Sequence, residues 1–181
     1  MKAHVKSFFG LLFLGLSFSS VAQKYGAEKS FVSFFSKAAI EDITAENTKS
    51  QSLFNTETGD VVFLIPIGSF EFAKSLMKQH FNEKYMDTEK FPKATFQGKI
   101  SGFDVKAGGL QQAKANGKMT IHGVSQEVEI PGTIEVVDNK LVFKSTFIVR
   151  LETYNITRPQ LMWQNIAEQV EVKIEFTYKP L

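Results

Sequence analysis

From Ser30 onward the dominant period of the apolar residues is two. Leu141, Phe143, Ser145, Phe147, Val149 and Leu151 alternate with Val142, Lys144, Thr146, Ile148, Arg150 and Glu152. Val128, Ile130, Gly132, Ile134 and Val136 alternate with Glu127, Glu129, Pro131, Thr133 and Glu135. Val170, Val172, Ile174, Phe176 and Tyr178 alternate with Gln169, Glu171, Lys173, Glu175 and Thr177. Successive side chains of a strand face opposite ways, so each run has one largely apolar face and one mixed or polar face. Strands of this kind cover a core on one side and meet water on the other, as antiparallel sheets do.

Turn chemistry divides the runs. Glu57-Thr58-Gly59, Ala107-Gly108-Gly109, Gly123-Val124-Ser125 and Asp138-Asn139-Lys140 supply the Gly, Asn and Asp residues that hairpins favour. Earlier strands are predicted at Ser30–Lys37, Ala39–Ala45, Ser50–Thr56 and Asp60–Ile67, giving about eight in all. One segment breaks the pattern. Phe70, Ala73, Met77 and Phe81 stand at near-helical spacing with Phe72 and Leu76 beside them, which predicts an amphipathic helix over Ser69–Phe81. Many strands and one helix mean a sandwich or a barrel. Periodicity does not separate the two, but closure removes exposed edges, and eight strands enclose enough room for one small ligand.

The first 22 residues read as an export signal. Lys2, His4 and Lys6 precede the apolar stretch Phe8–Phe18, and Ser20-Val21-Ala22 places small residues before a cut at Gln23. No cysteine follows to carry a lipid anchor. Residues 23–181 then form a single domain, without repeats or linkers. Cleavage removes two of the 21 basic residues and none of the 19 acidic ones, so the mature chain has equal numbers of each. That balance argues against nucleic acid as a partner, and no second apolar stretch is long enough for an integral membrane span.

Several pieces, in order, resemble the YceI-like family. They are Phe70-Glu71-Phe72, then Leu76-Met77-Lys78-Gln79-His80-Phe81, Asn82–Asp87, Phe91-Pro92-Lys93-Ala94-Thr95-Phe96 and Gly117-Lys118-Met119-Thr120-Ile121-His122-Gly123-Val124-Ser125. The resemblance spans most of Phe31–Tyr178. It implies an all-β, eight-stranded antiparallel lipocalin-like barrel, with the helix near one barrel end, exported to the periplasm or secreted. It also implies that an apolar small molecule, a polyisoprenoid or quinone-type lipid, is the partner. The chain departs from the family at Lys24–Ser30, which replaces the usual Trp-led opening, and at Met119, where the family has Leu.

Four of the 18 Phe lie in the signal. The rest make an interior unusually rich in rings, which give large contact area at low entropy cost. A Phe at an inward position either fills a barrel or lines a cavity. Phe96, Phe143, Phe147 and Phe176 are candidates for lining, with Met119, Ile121 and Ile174 on the strands and Phe72, Leu76 and Met77 on the helix. Gly98, Gly102, Ala113, Ala115 and Gly117 argue for room inside. His80, Arg158 and Trp163 are candidates for a ligand head group or a barrel mouth. The alternatives are a helix-end bond for His80, a surface ion pair for Arg158 and a barrel plug for Trp163. His122 has outward parity and a structural role.

Chemistry finds no motif. There is no Cys, no G-x-S-x-G, no H-E-x-x-H and no P-loop. The two His beyond the signal, His80 and His122, lack a clear carboxylate partner and make a poor metal site. The sequence therefore points to a binding protein, not an enzyme, without metal or cofactor. A filled barrel serving as a structural or stress-response interaction module is the alternative. The oligomeric state stays open, with Ser50–Thr56 as a strand that would pair between chains in a homodimer.

Overall fold

A computed structural model describes residues 24–37, 41–157 and 167–181. Its strands are β1 (Lys24–Ser36), β2 (Ile43–Asn47), β3 (Gln51–Asn55), β4 (Asp60–Pro66), β5 (Glu71–Phe72), β6 (Lys93–Ser101), β7 (Gly109–Ile121), β8 (Val124–Val137), β9 (Lys140–Arg150) and β10 (Gln169–Pro180). All pairings are antiparallel. Pairing runs β10-β9-β8-β7-β6-β4-β3-β1, and β1 also pairs with β10, so eight strands close into a barrel. β2 continues the wall along the second half of β1, and β5 adds to β2.

The alternation seen in the sequence becomes the inside and outside of this barrel. On β9, Leu141, Phe143 and Val149 are buried while Lys144, Thr146, Ile148 and Arg150 are exposed. Two-residue turns close the later hairpins. Asp138 and Asn139 have φ of 50° and 60°, and His122 and Gly123 have 50° and 75°. These are left-handed pairs whose twist matches that of the flanking strands. The β7–β8 turn thus lies at His122-Gly123, one residue ahead of the expected position.

Between β2 and β3 the wall kinks at Thr48-Lys49-Ser50. Asn47, only 1 % exposed, fixes the kink. Its Nδ2 donates to the Pro66 carbonyl at 2.8 Å, and its Oδ1 accepts from the Lys49 N–H at 2.8 Å and the Ser50 hydroxyl at 3.3 Å. A buried amide so fully bonded holds a specific bend, because leaving any of these groups unpaired costs on the order of 1–3 kcal/mol. β3 pairs with β4 over Gln51–Phe54 and with β1 over Leu53–Asn55.

The largest departure from expectation is the helix. Ile67–Ser69 is a 3₁₀ turn, Glu71–Phe72 is strand β5, and only Ser75–His80 is α-helical (α1) before a π-helical turn at Phe81–Tyr85. The near-helical spacing of Phe70, Ala73, Met77 and Phe81 has another origin. Phe70, Phe72 and Phe81 converge on Phe34 of β1, with ring centroids 5.4, 5.9 and 5.4 Å away. Rings gather there from strand, loop and π turn, while Ala45 and Glu46 capture the backbone of Phe72 and Glu71. Tertiary packing and strand pairing override the local period.

Candidate functional site: a barrel filled at one end and hollow at the other

The interior has two halves. Toward the β3–β4 and β8–β9 turns it is solid. Phe54 packs on Phe143 at 5.0 Å, Phe103 at 5.5 Å and Tyr178 at 6.3 Å, and Phe143 lies 4.6 Å from Tyr178. Tyr178 is wholly buried, yet its hydroxyl is satisfied. It donates to the Ser52 hydroxyl, which in turn donates to the Val62 carbonyl at 2.7 Å. Burial pushes the Tyr178 phenol far above its ordinary pKa, outweighing the opposing Ser52 bond, so it stays neutral. This end is a plug.

The other half encloses a cavity of about 460 Å³. Phe63, Phe96, Phe143 and Phe176 form its floor, with Phe63 to Phe176 at 4.9 Å and Phe63 to Phe96 at 6.1 Å. Ile65, Met119, Ile121, Phe147 and Ile174 line the walls. Phe34, Phe72, Met77, Phe81 and Tyr85 close over it from the α1 end. Its polar side chains include Ser33, Ser36, Glu41, His80, Lys114 and Lys144.

The structure therefore brings Phe72, Met77, Phe96, Met119, Ile121, Phe143, Phe147, Ile174 and Phe176 to one cavity, and His80 to its rim. Leu76 is the correction. It is 60 % exposed on the outer side of α1 and does not line the cavity, because the helix starts only at Ser75 and turns Met77 and His80 inward instead. Arg158 and Trp163 lie outside the described residues, as does the signal segment.

The small residues divide in the same way. Ala113 and Ala115 line the cavity. Gly98 and Gly117 do something else. They are cross-strand partners, and a Cβ on Gly98 would stand 2.2 Å from the Asn116 carbonyl, while one on Gly117 would stand 2.4 Å from that of Gln97. They let β6 and β7 approach rather than making room inside. Gly102, with φ of 87°, serves a turn.

Several lining residues were missed in the sequence, chiefly Val32, Phe34, Phe63 and Ile65. Their signal was present: Val32 and Phe34 share one parity of β1, and Phe63 and Ile65 one parity of β4. Which parity faced inward was hidden, because Phe31, Phe35, Val62 and Leu64 make the opposite faces apolar too.

His80 makes no hydrogen bond or ion pair with another described residue, so it does not cap a helix-end carbonyl. Glu41 is held by Lys74, whose ammonium donates to its two oxygens at 2.7 and 2.6 Å. His80 thus makes no hydrogen bond or ion pair with Ser36 or Glu41. His122 is structural: its Nδ1 lies 3.2 Å from the Tyr154 carbonyl, and its ring packs on Phe91 at 4.5 Å. Among the described residues no group of three or more acidic or His side chains could hold a metal ion. No helix among them is long and apolar enough to cross a membrane.

These features define a closed antiparallel barrel, plugged at one end, with an apolar chamber at the other. The chain belongs to the YceI-like domain family, whose model matches residues 24–178. No curated protein matches it in sequence. Solved structures share the fold. A polyisoprenoid binding domain from Saccharophagus degradans is 15 % identical, with a TM-score of 0.74 over 87 % of this chain and 98 % of its own. BcnA of Burkholderia cenocepacia is 20 % identical, with a TM-score of 0.69 over 82 % and 95 %. The YceI protein of Campylobacter jejuni is 17 % identical, with a TM-score of 0.52 over 98 % of each chain.

Proposed function

We propose that this protein encloses one isoprenoid-type lipid, a polyprenyl or quinone-type chain, in the hollow half of its barrel and carries or stores it without chemistry. The observation that carries the reading is the chamber: about 460 Å³, walled mainly by Phe, Ile, Val and Met, over an aromatic floor. Each methylene moved from water into such a wall contributes about 0.8 kcal/mol. A chain of several isoprene units therefore offsets the cost of association. Rings on the floor and lid give a flexible, branched, unsaturated chain broad contact without ordering long side chains. The Saccharophagus domain of the same fold is named for polyisoprenoid binding, which supports this ligand class. The sequence of residues 1–22 supports action in the periplasm or outside the cell, after cleavage near Ala22.

The test is native mass spectrometry of protein taken from the exported fraction, with organic extraction of its cargo. A stoichiometric apolar adduct is expected, and its mass identifies the lipid. Phe147→Glu, which places a carboxylate on the chamber wall, is expected to remove the adduct while the protein still folds. Phe143 is the wrong position for that test, since its ring also holds the plug. A clean apo mass, unchanged by incubation with quinones and polyprenols, would favour the interaction-module reading instead.

A further inference from the structure

The barrel closes through every neighbouring strand pair, but one of its ladders stops short. β8 and β9 pair from Val137–Lys140 only as far as Thr133–Lys144, although β8 continues to Val124 and β9 to Arg150. The cause lies in one residue. Across a two-residue hairpin, every second pair exchanges the interstrand bonds. Here these are Val137–Lys140, Glu135–Val142 and Thr133–Lys144, and the next would be Pro131–Thr146. Proline has no N–H to give. The Pro131 carbonyl is taken instead by the Ser145 hydroxyl, at 2.6 Å.

Beyond that point a 3₁₀ turn, Glu152–Tyr154, spans the gap between the strand ends. The Gln126 side chain donates to the Thr153 carbonyl at 3.3 Å, and the Tyr154 side chain is buried. A window results. The Ser145–Pro131 bond frames it at one end and the Gln126–Thr153 bond at the other. Glu127–Ile130 and Phe147–Val149 form its sides. Paired strands lie about 4.8 Å apart and leave no passage between them. Strands that have given up their ladder do not have this constraint.

The window opens onto the chamber, because Ile130, Pro131, Gly132, Ser145, Phe147 and Val149 all line it. Among the described residues, the barrel ends offer less direct routes. One end is the aromatic plug, and α1 with its π turn crosses the other, where Met77, His80, Phe81 and Tyr85 face the chamber. We propose that the β8–β9 window is a side entrance through which an apolar chain passes into and out of the chamber, with Phe147 and Ile130 at its inner threshold. The inference rests on the apolar-ligand reading above.

The experiment uses N-phenyl-1-naphthylamine, whose fluorescence rises in an apolar site, with association and release followed by stopped flow. The protein has no native cysteine, so a single Cys carries a bulky maleimide at a chosen place. Ile148→Cys, on the outer rim of the window, is compared with Leu76→Cys on α1 and Leu53→Cys on the far outer wall. The label at 148 is expected to slow both rates at least tenfold and leave the affinity within twofold, while the labels at 76 and 53 change neither. Pro131→Val restores the missing N–H and is expected to slow both rates in the same way. Slowing by the label at 76 and not at 148 would place the entrance at the helix end and overturn the proposal, as would unchanged rates in every variant. A probe that does not bind the unmodified protein at all would overturn the apolar-ligand reading, and the entrance with it.

Discussion

If the interior is divided, the same substitution should cost very different amounts in its two halves. Phe54 is 2 % exposed, with three aromatic neighbours between 5.0 and 6.3 Å. Phe54→Ala loses about 2 kcal/mol of transfer free energy. Its neighbours cannot collapse inward, since Phe143 and Tyr178 are held in the β9–β10 ladder, Phe143 opposite Phe176 and Tyr178 opposite Leu141. A residual void of about 80 Å³ at about 24 cal/mol per Å³ adds roughly 2 kcal/mol. The total is about 4 kcal/mol, a large part of the roughly 5–15 kcal/mol that holds a domain together. Phe147 already faces an open chamber and is partly exposed. Phe147→Ala enlarges an existing cavity without creating one, so only part of the transfer cost remains, about 1–2 kcal/mol. Urea unfolding of the two variants, followed by far-ultraviolet circular dichroism, gives the difference. Binding of N-phenyl-1-naphthylamine should report the reverse order, with the chamber variant more affected. Equal losses of stability, or a larger loss for Phe147→Ala, would refute the division into plug and chamber.

Other outcomes follow from individual sites. Tyr178→Phe removes a buried hydroxyl whose partner keeps its bond to Val62, so it should cost about 1 kcal/mol in denaturant unfolding and leave probe binding unchanged. Gly117→Ala should lower the melting temperature clearly, because its Cβ would meet backbone on β6 and such overpacking costs about 1–3 kcal/mol. Glu28, Asp60 and Glu71 titrate below the usual carboxylate range. The first cause in each is a side-chain hydrogen bond, from Lys140, Thr58 and Lys78 respectively. With folded pKa values below the unfolded ones, their small contribution is present above the unfolded carboxylate pKa and is lost as pH falls through the folded values. The urea midpoint should therefore fall modestly on acidification, and less so in high salt, which screens exposed pairs.

Much of this protein was legible without coordinates, for a physical reason. A half-buried strand writes its two faces into alternate residues, so the runs at Val128–Val136, Leu141–Leu151 and Val170–Tyr178 announced both their strands and their inward sides. Hairpin turns need left-handed residues, and Asp138-Asn139 and His122-Gly123 supply them where the chain reverses. The order of motifs from Phe70 to Ser125 indicated the family, and with it the barrel. The signals failed where contacts are long-range. Phe70, Phe72 and Phe81 stand at a spacing that fits a helix, but Phe34, some forty residues earlier, draws them together from three different backbone conformations. Gly98 and Gly117 look like space until their strands are paired, when each proves to fit against the other's backbone. Pro131 is one more residue on the outer face of its run until the hairpin register shows that it occupies the next bonded position, where the ladder ends. Local chemistry fixed the strands, their faces and their turns. Only tertiary structure decided that the rings seal one end of the barrel and leave the other hollow, because cavity and plug depend on which side chains meet across the barrel, and alternation along one strand carries no record of that.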